Sequence, residues 1–118
     1  GSLEVRKGLV EQWVRVVEGR GDPLKCTASW ADLGLPRAVN WLNSWTMDLI
    51  RLKSGADEDV ITNTDLQPPF QKLAQKLDLR SLFGHLEQIT EYSRWAGGQI
   101  NAQLALEDIM ISWGRRSR

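Results

Sequence analysis

The run from Pro36 to Lys53 limits what this chain can fold into more than any other segment. At about 100° per residue, Ala38, Trp41, Leu42, Trp45, Leu49 and Leu52 line one wide face of a helix. Val39, Met47 and Ile50 add apolar surface outside that face, and Arg37, Asn40, Ser44, Asp48 and Arg51 form the wet side. A helix on the rim of a small domain needs a single apolar stripe. One that is apolar over more than half its circumference needs neighbours on several sides. The segment therefore reads as the central helix of a helical bundle.

The remaining apolar segments keep a helical period, each with its own punctuation. Glu4 to Glu18 carries Leu9, Val10, Trp13, Val16 and Val17 on one side and is ended by Gly19 and Gly21. Asp22-Pro23 reads as an N-cap followed by proline in the first turn of a short helix that Gly34 stops. Pro36 opens the central helix in the same way, and Ser54-Gly55 closes it. Residues 55–66 read as a loop. Pro68 and Pro69 suit the first turn of a fourth helix with Phe70, Leu73, Ala74 and Leu77 facing inward. Asp78 caps a fifth, to about Ala96, whose stripe is Leu79, Leu82, Phe83, Leu86, Ile89 and Ser93; Gly97-Gly98 breaks it. No strand-type alternation extends beyond a few residues, and no repeat of roughly 20–50 residues is present. The expectation is an all-α, single compact bundle of five to six helices.

The sixth helix, capped by Asn101, has two apolar strips. Leu106, Ile109, Met110 and Trp113 fall on one side, and Leu104 and Ile111 fall nearly opposite, between Glu107 and Asp108. The first strip suffices to hold the helix to its own domain. The second must cover something else. Leu104 and Ile111, with Val39 and Met47 of the central helix, are therefore the interface candidates.

Composition narrows the function classes. With 118 residues the chain is long enough for one cored domain. Fifteen basic residues balance fifteen acidic ones, so no net field draws in nucleic acid or an anionic membrane. No apolar run approaches the ~18 residues of a spanning helix, and no signal peptide is visible. One cysteine permits no internal disulfide, which fits a reducing, cytoplasmic compartment. Gly1 and Ser2 read as a cloning scar and residues 3–118 as the domain proper, part of a longer protein. Six tryptophans is a high count for this length. Trp13, Trp41, Trp45 and Trp113 sit on apolar stripes and read as core, while Trp30 and Trp95 lie nearer helix ends.

Catalytic and metal chemistry find no footing. His85, the one histidine, has no partner set for zinc, which needs three or four ligands. Cys26 has no base placed to lower its pKa and reads as a small buried apolar residue. Asp57, Glu58, Asp59 and Asp65 do not match the spacing of a calcium loop. No glycine-rich phosphate loop or dinucleotide turn occurs. Arg115, Arg116 and Arg118 read as a solubilising terminus. No cofactor, metal or small-molecule substrate is expected.

Three segments carry a resemblance. V-I-T-N-T-D-L, Val60 to Leu66, resembles the V-T-N-x-D stretch of the delta-prime subunit of the bacterial DNA polymerase III clamp loader. I-N-A-Q-L-A-L-E-D-I-M-I-S-W, Ile100 to Trp113, is similar to that family's N-x-x-L-x-x-x-x-L-L-L close. W-L-x-x-W-x-M-D-L-I-R-L, Trp41 to Leu52, looks like its central helix. The resemblance implies a C-terminal collar domain in a complex serving DNA replication. Such domains pack side by side into a ring with the gamma/tau-type and delta-type subunits, holding the ATPase modules above the sliding clamp. It implies no catalytic residue here, contact with primed DNA only in the full complex, and a zinc module and nucleotide-type fold N-terminal to the segment. The competing possibility is a free-standing helical DNA-binding or adaptor module working through Trp30, Trp95 and the arginine tail. Against it stand the zero net charge and the lack of a one-sided basic helix. Lacking a phosphate cradle, the domain is expected neither to bind ATP tightly nor to hydrolyse it; calorimetry with ATP should show no saturable micromolar binding.

Overall fold

The computed structural model describes residues 2–55, 67–95, 98 and 101–116. They form six helices: α1 (Ser2–Val17), α2 (Pro23–Ala31), α3 (Leu35–Lys53), α4 (Gln67–Lys76), α5 (Leu79–Trp95) and α6 (Ala102–Arg116). No strand occurs among the described residues. The expected loop at 56–66, with its acidic cluster and the Val60–Leu66 segment, lies outside them, as do Gly97 and Arg118.

Local chemistry sets the helix ends. After α1, the Gly19 N–H bonds to the Val16 carbonyl at 3.0 Å and the Arg20 N–H to the Arg15 carbonyl at 2.8 Å. This paired closure puts Gly19 at φ 77°, which glycine adopts without a Cβ penalty. The Asp22 carboxylate accepts from the Leu24 N–H at 2.9 Å, and Pro23 occupies the first turn of α2. Asp78 accepts from the Ser81 N–H at 2.7 Å to start α5, and Asn101 from the Leu104 N–H at 3.0 Å to start α6. Each cap satisfies an otherwise orphaned donor.

α3 lies against α4 and, over its longest seam, α5; α2 lies against α6, with α1 across both. α5 and α6 join the two halves. α3 is thus surrounded, and its wet side is narrower than its sequence implies. Asp48 is fully buried, its Oδ1 accepting from Arg51 Nη1 at 3.1 Å. Val39 and Ile50 are in the core, Met47 and Ser44 are half-buried, and Thr46 returns its hydroxyl to the Leu42 carbonyl at 2.7 Å. Phe70, Leu73 and Ala74 of α4, and Leu77 just past its end, face inward as the pattern indicates. On α5 the buried arc is rotated from the expected one. Leu82, His85 and Ile89 are buried, with Leu86 and Tyr92 half-buried, while Leu79, Phe83 and Ser93 are exposed. The physical reason is that α5 meets α3 and α6 together, so its buried centre falls between those contacts.

An aromatic chain threads this core. Trp13 of α1 packs on Trp45 of α3, Phe70 of α4 and Trp113 of α6 at ring separations of 5.3, 5.9 and 5.1 Å. Trp45 meets Trp30 of α2 edge to face at 5.3 Å and stacks with Trp41 at 6.1 Å. His85 of α5 stacks flat on Trp113, 3.6 Å between centroids and 10° between planes. Arg37 lies over the Trp41 ring at 5.0 Å and closes the chain at the surface. Trp30, read as a helix-end residue, is thus core.

Leu49 is fully buried on α3, whereas Leu104 of α6 is 64% exposed. Leu49→Ala should cost ~2–5 kcal/mol through lost transfer energy and a cavity, and Leu104→Ala within about 0.5 kcal/mol. Urea unfolding of the two variants beside the parent checks the contrast.

Candidate subunit interface

The buried thiol and imidazole of the domain are spent on packing. A cleft of about 220 Å³ lies between α1 and α2, lined by Gln12, Arg15, Asp22, Lys25 and Cys26. Burial pushes the Cys26 thiol up to about 12, with the Trp30 indole N–H weakly opposing, so the sulfur there is a protonated thiol rather than a nucleophile. His85 is fully buried against Trp113. Among the described residues no cluster of His, Cys, Asp or Glu is arranged to hold a metal. None of their helices is long and apolar enough to cross a membrane.

The surface is more informative. The structure separates the four interface candidates. Leu104 projects into solvent, Ile111 and Met47 are half-buried, and Val39, only 4% exposed, is covered within the domain itself. Val39 is therefore no free strip; it lies at the edge of the α3–α5 seam, beside Thr90 and Ser93. Arg115 and Arg116 belong to the last turn of α6.

Leu104 has a companion that its sequence position does not announce. α5 and α6 are tied together where the Tyr92 hydroxyl donates to Asp108 Oδ2 at 2.6 Å and Gln88 Nε2 donates to the same oxygen at 3.1 Å. Trp95 lies three residues beyond Tyr92 along α5, and Leu104 lies four residues before Asp108 along α6. Residues at those spacings share a helix face, so both stand one turn nearer the α5–α6 connection. Trp95 is 59% exposed, the most exposed large apolar side chain on the described surface after Leu104. Ile111, three residues past Asp108, extends the same α6 face in the other direction. A Trp at a helix end carries no periodic signal of its own. The cue in the sequence is its i, i+3 relation to Tyr92, and that has meaning only once Asp108 is known to sit opposite.

The Tyr92–Asp108 contact also shifts a titration. Partial burial, then the hydrogen bond to the Asp108 carboxylate and its charge, push the Tyr92 phenol up to about 12. The carboxylate favours the protonated hydroxyl that donates to it and repels a phenolate.

Comparison with known proteins gives this surface a context. The family model for the C-terminal part of the DNA polymerase III delta subunit matches residues 1–115. The chain belongs to this family. DNA polymerase III subunit delta' of Pseudomonas aeruginosa is 24% identical, the match covering 91% of this chain and 35% of the relative. The chain thus spans about a third of that relative's length. No solved structure matches it. A delta C-terminal domain of a replication protein is in keeping with six helices, and the resemblance carried by Trp41–Leu52 and Ile100–Trp113 rests on α3 and α6.

Tyr92 is the one tyrosine of the chain, so an ultraviolet titration of this delta C-terminal domain reads it alone. The phenolate should form near pH 12 rather than 10 in the folded domain, and Asp108→Asn should lower that value only in part, because burial, the larger cause, remains. A raised folded pKa contributes stability that is complete below the unfolded value. The Tyr92 contribution should therefore hold up to pH 10 and disappear between pH 10 and 12.

Proposed function

We propose that this domain is a non-catalytic assembly module of the DNA polymerase III clamp loader. It packs against neighbouring loader subunits so that the complex can place the sliding clamp on primed DNA, and it works in the cytoplasm. Its partners are collar-type domains of the gamma/tau-type and delta-type subunits. DNA is reached only by the complete complex.

The observation that carries this is the Trp95–Leu104 pair. Most of the other large apolar rings in the domain are spent on holding the helices to one another. Trp95 and Leu104 stand in solvent, each about one turn from the Tyr92–Asp108 and Gln88–Asp108 contacts that tie α5 to α6. Aromatic and aliphatic anchors on a rigid face are what a specific interface is built around. Packing them removes apolar area at ~25 cal/mol per Å², part of which the lost freedom of association offsets. One contact can then be modest while several together hold a ring.

The DNA-binding alternative loses both its aromatic residues. Trp30 is in the core, and Trp95 stands on a helix that also exposes Glu87 and Glu91. Neither suits a stacking platform beside phosphates.

The test is a double variant, Trp95→Ser with Leu104→Gln, in the full-length subunit. Thermal unfolding should stay close to the parent's, because exposed side chains contribute little to the monomer. Its affinity for the partner subunits should fall about tenfold or more, equivalent to about 1.4 kcal/mol, as measured by surface-immobilised binding. Normal assembly by a folded variant would move attention to the half-buried Met47 on α3.

A further inference from the structure

The charges beside the apolar pair follow a pattern that restricts what can sit on it. Along α5, Glu91 and Glu87 lie four and eight residues before Trp95, on the same stripe, and both are exposed. Along α6, Glu107 and Asp108 lie one turn past Leu104. Moving away from the α5–α6 connection, each helix thus presents a large apolar side chain and then carboxylates. Between Glu87 and Trp95 the one cation is Arg94, its Nη1 already engaged by Glu91 Oε2 at 3.2 Å, and Arg80 lies near Glu87 at the far end of the stripe. Glu87 and Glu91 are like charges at i, i+4, an arrangement that disfavours the isolated helix. Asp108 accepts from Tyr92 and Gln88, two neutral donors. Phe83, four residues before Glu87 and also exposed, ends the α5 stripe, so the carboxylates lie between apolar groups, although the whole chain is neutral.

We propose that the occupant of this face is a helix of a neighbouring subunit with an apolar residue that meets Trp95 and Leu104 and with Lys or Arg one and two turns along. The inference rests on the assembly reading above and names the chemistry of its partner. A cationic stripe relieves the Glu87–Glu91 repulsion and meets Glu107 and Asp108. A second copy of this face would set carboxylate against carboxylate, and a nucleic acid or anionic membrane would set phosphate there. Charge complementarity of this kind acts first on the rate of encounter, and salt screens it. The apolar pair acts on the rate of departure.

Association kinetics of the full-length subunit with its partner subunits separate the two. With the parent, the on-rate should fall about tenfold or more from low to high ionic strength. In Glu87→Gln/Glu91→Gln/Glu107→Gln, that slope should flatten and the low-salt on-rate should drop, while the off-rate changes little. In Trp95→Ser/Leu104→Gln, the off-rate should rise about tenfold and the salt slope should persist. Circular dichroism confirms that each variant is folded. An unchanged salt slope in the triple glutamine variant overturns the cationic partner, even where the apolar variant still weakens assembly. Unchanged kinetics in the apolar variant overturn the assembly face itself. Concentration-dependent self-association through this face in sedimentation, or binding of anionic vesicles or DNA that the apolar variant abolishes, overturns the partner's identity.

Discussion

Trp13 is the joint on which the architecture depends. It touches rings from α3, α4 and α6, and through Trp45 and Trp113 it reaches α2 and α5. Every helix contributes at least one ring to this continuous chain. Flat, rigid side chains lose little rotamer freedom on burial, and edge-to-face contacts add orientation preferences that aliphatic packing lacks. The result specifies helix angles as well as helix proximity. The arrangement has a cost. The indole N–H groups of Trp13 and Trp113 have no hydrogen-bond partner among the described residues. The area those rings bury outweighs that deficit.

The charged surface supports the same organisation without creating it. Glu18 links α1 to α4 through Lys76 at 2.7 Å and also takes the Arg20 guanidinium. Its carboxyl is held below the usual carboxylate range, chiefly by the hydrogen bond from Lys76 and then by that from Arg20. A depressed carboxyl stabilises the fold above its unfolded pKa, and that contribution fades as pH falls through the folded value. Since Lys76 and Arg20 are largely exposed, solvent and salt keep the gain under about 1 kcal/mol.

What the sequence shows clearly is whatever local chemistry decides. Gly19, Asp22, Asp78 and Asn101 act on backbone groups within a few residues, so the helix ends are legible from the chain alone. The inward faces of α1, α4 and α6 are legible too, because each has one dominant stripe. Asp48, Val39 and His85 are not. Their burial depends on which helices surround α3 and how α5 is rotated between two neighbours, and neither follows from a single helix's period. The interface candidate Leu104 stands out as the apolar residue that the core does not need. Trp95 does not stand out, since only the pairing of Tyr92 with Asp108 brings it alongside. The family is shown by the family model that matches residues 1–115, and the segments that suggested it in the sequence include Trp41–Leu52 of α3 and the run that α6 carries.

The Tyr92–Asp108 tie has a meaning for geometry beyond its energy. In a closed ring of domains, angular errors at the junctions accumulate around the circle, and a small tilt at each leaves a gap or a clash at the last. A docking face carried on two helices free to rock would pass that tilt on. Tyr92 and Gln88 converge on one carboxylate, so α5 and α6 are held together as one plane. The tie acts as a gauge: in the assembly proposed above it would set the angle at which the next member of a ring is received.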